Sequence, residues 1–186
     1  MAIEFTDSFM KDTVDFMHYY KKLGDGALAQ APDAALTAAL DPESNSIATI
    51  VKHLSGSMRS RWTDFLTTDG EKPGRDRDSE FESPPQTRAE VVALWEAGWK
   101  ATFEALSHLT DDDLGRAIFI RGEAHSVLQA LNRAITHYAY HVGQIVYLAK
   151  HFSGGKWNSL TIPKRKSDEW KLHRGLGAGL SHPQHR

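Results

Sequence analysis

The sequence contains no cysteine. Disulfides, thiolate metal ligands and a cysteine nucleophile are therefore excluded, and any transition-metal site must use histidine with carboxylates or water. Long apolar runs are also missing, since none approaches the roughly 20 residues that a membrane-spanning helix needs. The first residues lack the basic and apolar regions of a signal peptide. We therefore expect a cytoplasmic protein that does not act in a membrane.

Motifs of several common enzyme classes are absent as well. The chain has no Gly-rich phosphate loop, no Gly-x-Ser-x-Gly turn and no paired acidic motif, so nucleotide and serine-hydrolase chemistry lose support. Residues 156–186 form a basic, Gly-containing extension, but no nucleic-acid motif accompanies the charge. A solvated tail is expected there, with docking on an acidic surface as the alternative, and no nucleic-acid partner is expected.

What is present favours helices. The chain has 186 residues, 40% hydrophobic and 25% charged, with a formal net charge of -2, which fits one folded domain. Apolar residues recur at helical spacing in four segments. The predicted helices run from about Asp7 to Leu23, from Ile47 through Phe65, from the Thr87-x-x-Glu90 capping box onward, and from Ser126 to Gly154.

The connections between these helices are long. A short helix can follow Pro32, and residues 67–86 combine prolines, glycines and dense charge, which predicts a surface loop without periodic structure. The β-branched segment from Ile118 to Glu123 predicts a small strand or hairpin before the last helix. Strands do not alternate with helices, so the fold class is all-α, a four-helix bundle over residues 1–155.

His137 and His141 are the most informative residues. On one helix face, side chains four residues apart have Cβ atoms roughly 5 to 6 Å apart, so both imidazoles can reach one metal ion. His141 also occupies a position where the helical pattern calls for an apolar residue. The alternative is that His141 is buried and hydrogen-bonded to another acceptor while His137 faces water.

A third ligand would come from a facing helix. His53 is the best candidate, because it lies in the middle of the second helix beside the apolar stripe. Three nitrogens leave an open coordination position, as in catalytic zinc sites. Taken alone, a histidine at this position is more often structural or exposed. The remaining histidines have no matching partner, and we expect no metal at any of them: His18, His108, His125, His151, His173, His182 and His185.

A histidine in the second helix followed much later by His137-x-x-x-His141-x-Gly-Gln144 resembles the DinB-like, or YfiT-like, metal-binding four-helix bundles. The closest similarity is to a DinB-like subfamily known only as a domain of unknown function. It covers most of the chain, including Asp41 to His53, Arg61 to Lys72, His137 to Gln144 and Ser159 to Lys164. By position, the family's histidine triad falls on His53, His137 and His141.

The resemblance implies a function at this triad. Some DinB-like proteins are thiol-dependent S-transferases or isomerases, which implies a bound Zn or Ni ion, a low-molecular-weight thiol cosubstrate and a small electrophile. A metal-dependent hydrolase that activates water is the second possibility. The resemblance also implies a homodimer formed through helix faces.

Three neighbouring side chains are candidates for lining the site. Gln144 could orient a ligand imidazole or bound water, or simply bond another helix. Ser57 follows His53 by one turn, and Arg61, with Arg59 and Trp62, could form an anion-binding rim. The alternative for the last three is two solvated arginines and a packing tryptophan.

Two other classes of function stay open at this point. The ion could cross-link the second and fourth helices in a non-catalytic metal-binding protein, with the fourth position closed by a side chain. Alternatively, the chain could be a helical interaction or oligomerisation domain whose histidines are satisfied structurally, and then no metal would bind.

Overall fold

The computed structural model describes residues 6–169. The elements with both ends inside this range include five α-helices, two short 3-10 turns and one β-hairpin. The α-helices are α1 (Phe9–Gln30), α2 (Asp33–Thr37), α3 (Ile47–Trp62), α4 (Arg88–Leu106) and α5 (Val127–Phe152). The hairpin consists of β1 (Ala117–Ile120) and β2 (Glu123–Ser126), and the 3-10 turns are Asp78–Phe81 and Asp111–Asp113.

The four long helices form the predicted bundle. α3 packs against α4 and α5, and α1 packs against α5. Large side chains fill the centre, among them Trp62, Trp99, Tyr138 and Met17, each at most 2% exposed. Burial of these apolar and aromatic surfaces is the main stabilising contribution in such a bundle. The all-α fold with a minor β element is therefore confirmed.

Helix α1 continues past the end predicted for it. It runs through Gly24 and Gly26 to Gln30 and stops before Pro32. The reason is packing: a Cβ on Gly24 would lie 2.3 Å from the Trp95 ring, and one on Gly26 would lie 2.6 Å from Leu160. These glycines permit close approach of neighbouring side chains within the helix, so the predicted end near Leu23 was wrong.

The predicted starts of α3, α4 and α5 are confirmed by their caps. The Ser46 side chain accepts from the Thr49 N–H at the start of α3. Thr87 with Glu90, and Ser126 with Gln129, form capping boxes that start α4 and α5. Each box satisfies backbone donors that a helix terminus otherwise leaves free, which fixes where α4 and α5 begin.

The predicted hairpin is present and tightly turned. β1 and β2 pair antiparallel from Ala117 opposite Ser126 to Ile120 opposite Glu123. Arg121 and Gly122 make the turn with φ of 57° and 76°, as a two-residue turn of mirror-image type requires. Ile118 is buried on the core side of the hairpin.

Residues 67–86 depart from the expectation of a wholly aperiodic surface loop. The segment contains the 3-10 turn Asp78–Phe81, and Glu80 within it is only 5% exposed. Lys52 on α3 donates to the carbonyls of Ser79 and Glu82 at 2.6 and 2.7 Å. The loop is thereby held against α3, and it contributes side chains to the interior.

Part of the chain after α5 also packs on the bundle. The Asn158 N–H donates to Gln30 Oε1 at 2.7 Å, and Leu160 packs against the core. The rest of the predicted extension from residue 170, with His173, His182 and His185, lies outside the described residues. None of the helices within residues 6–169 has the length and apolar character needed to cross a membrane.

Candidate metal centre

The three histidines predicted as ligands meet between α3 and α5. The ring centroids of His53 and His137 are 5.3 Å apart, those of His53 and His141 5.0 Å, and those of His137 and His141 4.7 Å. One potential ligand nitrogen from each ring lies within 4.8 Å of the others. His53 is buried, and the other two are partly buried.

The spacing of the nitrogens fits a shared ion. His53 Nε2 lies 3.2 Å from His137 Nε2. Two nitrogens that bind one tetrahedral ion at about 2.0–2.1 Å are separated by roughly 3.3 Å. No fourth histidine or carboxylate joins this group in the part of the chain that the structure describes. The donor set therefore fits a divalent metal ion with an open position.

A buried carboxylate orients the first histidine. Glu80 Oε2 accepts from His53 Nδ1 at 2.8 Å, which leaves the Nε2 lone pair directed toward the other rings. Arg75 holds the carboxylate by two parallel hydrogen bonds, Nε to Oε1 at 2.7 Å and Nη2 to Oε2 at 2.8 Å. Carboxylate partners of this kind fix the tautomer and the ring orientation of metal-binding histidines.

Gln144 has the same relation to the third histidine. Its Oε1 accepts from His141 Nδ1 at 2.8 Å, so the other ring nitrogen of His141 stays free to bind. Of the two roles considered for Gln144, the structure therefore shows the hydrogen bond to a candidate ligand imidazole.

Electrostatics favour the protonation states that metal binding needs. Burial, followed by repulsion from the neighbouring His141 and His53 and then from Arg75 and Arg133, lowers the pKa of His137 to about 3. Burial also lowers the pKa of His141. Burial alone would raise the pKa of Glu80, but hydrogen bonds from His53 and Arg75 outweigh it and hold that pKa below its usual range. At neutral pH the two imidazoles are neutral and the carboxylate is ionised, as coordination requires.

Several residues of the site escaped sequence reasoning. Glu80, Arg75 and Phe81 come from the 67–86 loop, and the Phe81 ring lies 4.7 Å from that of His53. One signal was available: Gly56 lies in the middle of α3, and a Cβ there would lie 2.2 Å from Glu80 Oε1. An isolated glycine inside a helix often marks such a close approach.

A cavity of about 460 Å³ opens beside the histidines. Its wall includes His53, His137, Ser57 and Arg61. Within residues 6–169, none of its lining residues is acidic, and four further arginines line it: Arg75, Arg77, Arg121 and Arg133. This concentration of guanidinium groups was not foreseen from the sequence.

Arg59 and Trp62 have other positions. Arg59 lines a separate surface depression. Trp62 is 1% exposed and donates its indole N–H to the Tyr138 hydroxyl at 2.7 Å. Burial raises the pKa of Tyr138 to about 12, so this phenol stays protonated. The rim proposed from the sequence therefore keeps only Arg61, and Trp62 is a core residue.

Comparisons with known proteins agree with this architecture. The chain is similar to a DinB-like protein from Bacillus cereus ATCC 10987, with 16% identity and a TM-score of 0.61. The match covers 79% of this chain and 94% of that one. No curated protein matches the sequence. The DinB-like fold suggested by the sequence is thus confirmed. A family model matches residues 4–166, and the chain therefore belongs to the family described as Protein of unknown function (DUF1572).

Proposed function

We propose that the protein is a metal-dependent enzyme that activates a low-molecular-weight thiol, or water, for transfer to a small electrophile. His53, His137 and His141 would hold the ion. The observation that supports this most directly is the convergence of three ring nitrogens within 4.8 Å beside an open cavity. A divalent ion with three neutral imidazole ligands and an open position lowers the pKa of a bound thiol or water.

The chain's own residues prepare this site. Glu80 holds the proton at His53 Nδ1, and Gln144 holds the proton at His141 Nδ1, so both rings present Nε2 to the centre. Arg75 fixes Glu80 and neutralises its charge. Because Tyr138 keeps its proton and is hydrogen-bonded to Trp62, it is a wall of the cavity and not a base.

The cavity is what favours an enzyme over a structural metal site. An ion that only cross-links helices is normally enclosed by four protein ligands. Here three side chains converge, and two of them, His53 and His137, also line the cavity. A small molecule can therefore approach the histidines from that side.

Metal analysis tests the proposal. Purified protein should carry about one equivalent of zinc or nickel per chain, and His137→Ala should lose it because two imidazoles bind a divalent ion only weakly. Elemental analysis by mass spectrometry after dialysis measures this. His108→Ala is the matched control, since His108 is exposed and outside the cluster.

Stoichiometric metal in both His137→Ala and His141→Ala would contradict the assignment. A screen of metal-loaded protein with low-molecular-weight thiols and electrophiles then separates thiol transfer from hydrolysis. Full metal loading with no turnover of any tested pair would favour the non-catalytic alternative.

A further inference from the structure

The cavity beside the histidines has a charge that the proposed function does not explain. Five arginines line it, two from the ligand-bearing helices, two from the 67–86 loop and one from the hairpin: Arg61, Arg133, Arg75, Arg77 and Arg121. Clustering like charges costs energy, so such a cluster needs compensation by anions. Carboxylates within residues 6–169 supply only part of this compensation.

Three of the five arginines have acidic partners. Arg75 is bound to Glu80 and to Glu71. Arg121 shares Glu71, at 3.2 Å, and Arg77 lies 3.9 Å from an almost fully exposed Asp78. Three carboxylates thus face five guanidinium groups. At least two positive charges of the cavity are left without a counter-charge among residues 6–169.

Those two charges belong to Arg61 and Arg133. The Nη1 atom of Arg61 is buried and has no hydrogen-bond partner in residues 6–169. Burial, followed by repulsion from Arg133, lowers the pKa of Arg61, so the two groups are close enough to repel each other. A buried donor without an acceptor is costly, and Arg61 also lines the cavity, so an anion bound there would compensate the guanidinium charge.

Arg61 and Arg133 lie on the same two helices as the histidines. Arg61 lies two turns after His53 on α3, and Arg133 lies one turn before His137 on α5. Residues at these spacings share a helix face, and both arginines line the same cavity as the histidines. Ala130, Ala134 and Tyr138 supply apolar wall between the charged groups, enough for a short carbon skeleton.

We propose that this cavity binds a small molecule with two acidic groups, carboxylate or phosphate, which pair with Arg61 and Arg133. The volume of about 460 Å³ is within the range of small-molecule sites, so a metabolite fits and a macromolecule does not. That the reactive end of this molecule faces the histidines rests on the proposed function. The anion site itself stands on the arginines alone.

Binding of simple anions tests the proposal. Calorimetric titration of the full chain uses succinate and inorganic phosphate as probes and uncharged succinamide as the control ligand. Both metal-free protein, stripped with EDTA and desalted, and metal-loaded protein are titrated. We expect the metal-free protein to bind at least one anion and not succinamide, with affinity that weakens as salt is added. The anion that binds more tightly identifies the acidic group.

Arg61→Gln and Arg133→Gln should each weaken anion binding by roughly tenfold, the effect of losing one charge-assisted hydrogen bond. Arg116→Gln is the matched control, because Arg116 is exposed, pairs with Asp113 and does not line the cavity. Arg61 is half-buried, so Arg61→Gln could impair folding. In that case Arg133→Gln alone tests the anion site, because Arg133 is exposed and its replacement should leave the fold intact. Circular dichroism checks the fold of each variant.

The proposal is overturned if neither anion binds to metal-free protein, if succinamide binds equally well, or if Arg133→Gln binds like the Arg116→Gln control. Metal content is measured on the same samples. Arginine-dependent anion binding in a chain that never takes up metal would refute the proposed function and leave this inference standing. Normal metal content with no anion binding would refute this inference and leave the proposed function standing.

Discussion

At the scale of single residues, Glu80 connects the candidate metal centre to the loop that covers it. Its carboxylate accepts from His53 and from Arg75, and both partners are largely buried, with side chains about 7% exposed. A carboxylate in such surroundings has a role in stability as well as in ligand orientation, because removing its charge leaves Arg75 with less compensation.

Glu80→Gln should therefore have two effects. Metal affinity should fall by roughly 10- to 100-fold, as is usual when the partner of a ligand histidine is changed. The free energy of unfolding of the metal-free protein should fall by about 1–3 kcal/mol, because a charged hydrogen-bond network is weakened. Chelator competition and urea denaturation measure the two quantities.

Glu104→Gln is the control for this change, since Glu104 is exposed and pairs loosely with Lys100 at 3.6 Å. It should alter neither quantity. Unchanged metal affinity in Glu80→Gln would show that the Glu80 hydrogen bond does not orient a ligand.

Sequence reasoning reached the three candidate ligands, which lie on helices, and missed the residues of the site on connections together with Arg133 on α5. The i, i+4 spacing of His137 and His141, and the helical phase of His53, allow their convergence to be predicted. Gln144 follows from the same periodicity. Glu80 and Arg121 lie on a loop and a hairpin turn, where no repeat relates a side chain's position in the sequence to its direction in space.

At the scale of elements, α1 shows how packing can decide the length of a helix. Glycine has low helix propensity, and two glycines two positions apart, Gly24 and Gly26, predict a terminus. The Trp95 ring, whose Nε1 donates to Asp25 Oδ1 at 2.7 Å, occupies the space over Gly24 instead. That tertiary contact explains why helix propensity predicted the wrong end of α1. The starts of α3, α4 and α5 could be predicted from the sequence because each cap is formed by residues within three positions of one another.

Two glycine-to-alanine changes in helices should change the free energy of unfolding in opposite directions. Gly24→Ala should destabilise the protein by about 1–3 kcal/mol, because the new methyl group overlaps the Trp95 ring. Gly143→Ala should stabilise it by about 0.5–1 kcal/mol, since nothing lies within 4 Å of a Cβ at that exposed position of α5. Urea denaturation measures both. Stabilisation by Gly24→Ala would contradict the packing seen between α1 and α4.

At the scale of the whole molecule, the candidate centre joins two helices whose contacting histidines, His53 and His137, are 84 residues apart in sequence. Folding places the His137 imidazole in an interior that disfavours its charged form, and burial holds the pKa of His137 at about 3. In the unfolded chain the same group titrates near about 6.5. Protonation is therefore linked to the stability of the entire bundle.

Proton binding determines whether stability rises or falls with pH. Between about pH 6.5 and about pH 3 the unfolded chain binds a proton at position 137 that the folded protein does not, so stability is full above this window and falls as pH falls through it. We expect the free energy of unfolding of metal-free protein to decrease from about pH 7.5 to about pH 5.5, before most carboxylates titrate. Urea denaturation at several pH values measures it.

His137→Gln should show a shallower decrease over the same range, and His108→Gln should follow the wild type. Parallel curves for the wild type and His137→Gln would show that position 137 does not contribute to the pH dependence.

The turn of the hairpin is a position where the side chain that lines the cavity can change. Asp69 accepts from the backbone N–H groups of Arg121 and Gly122 at 2.8 and 2.7 Å, which clamps the turn while the Arg121 side chain reaches the cavity. Backbone groups make this clamp, so it does not depend on which side chain stands at position 121. Divergent relatives could therefore exchange that side chain and acquire a new ligand preference without rebuilding the helices beneath it.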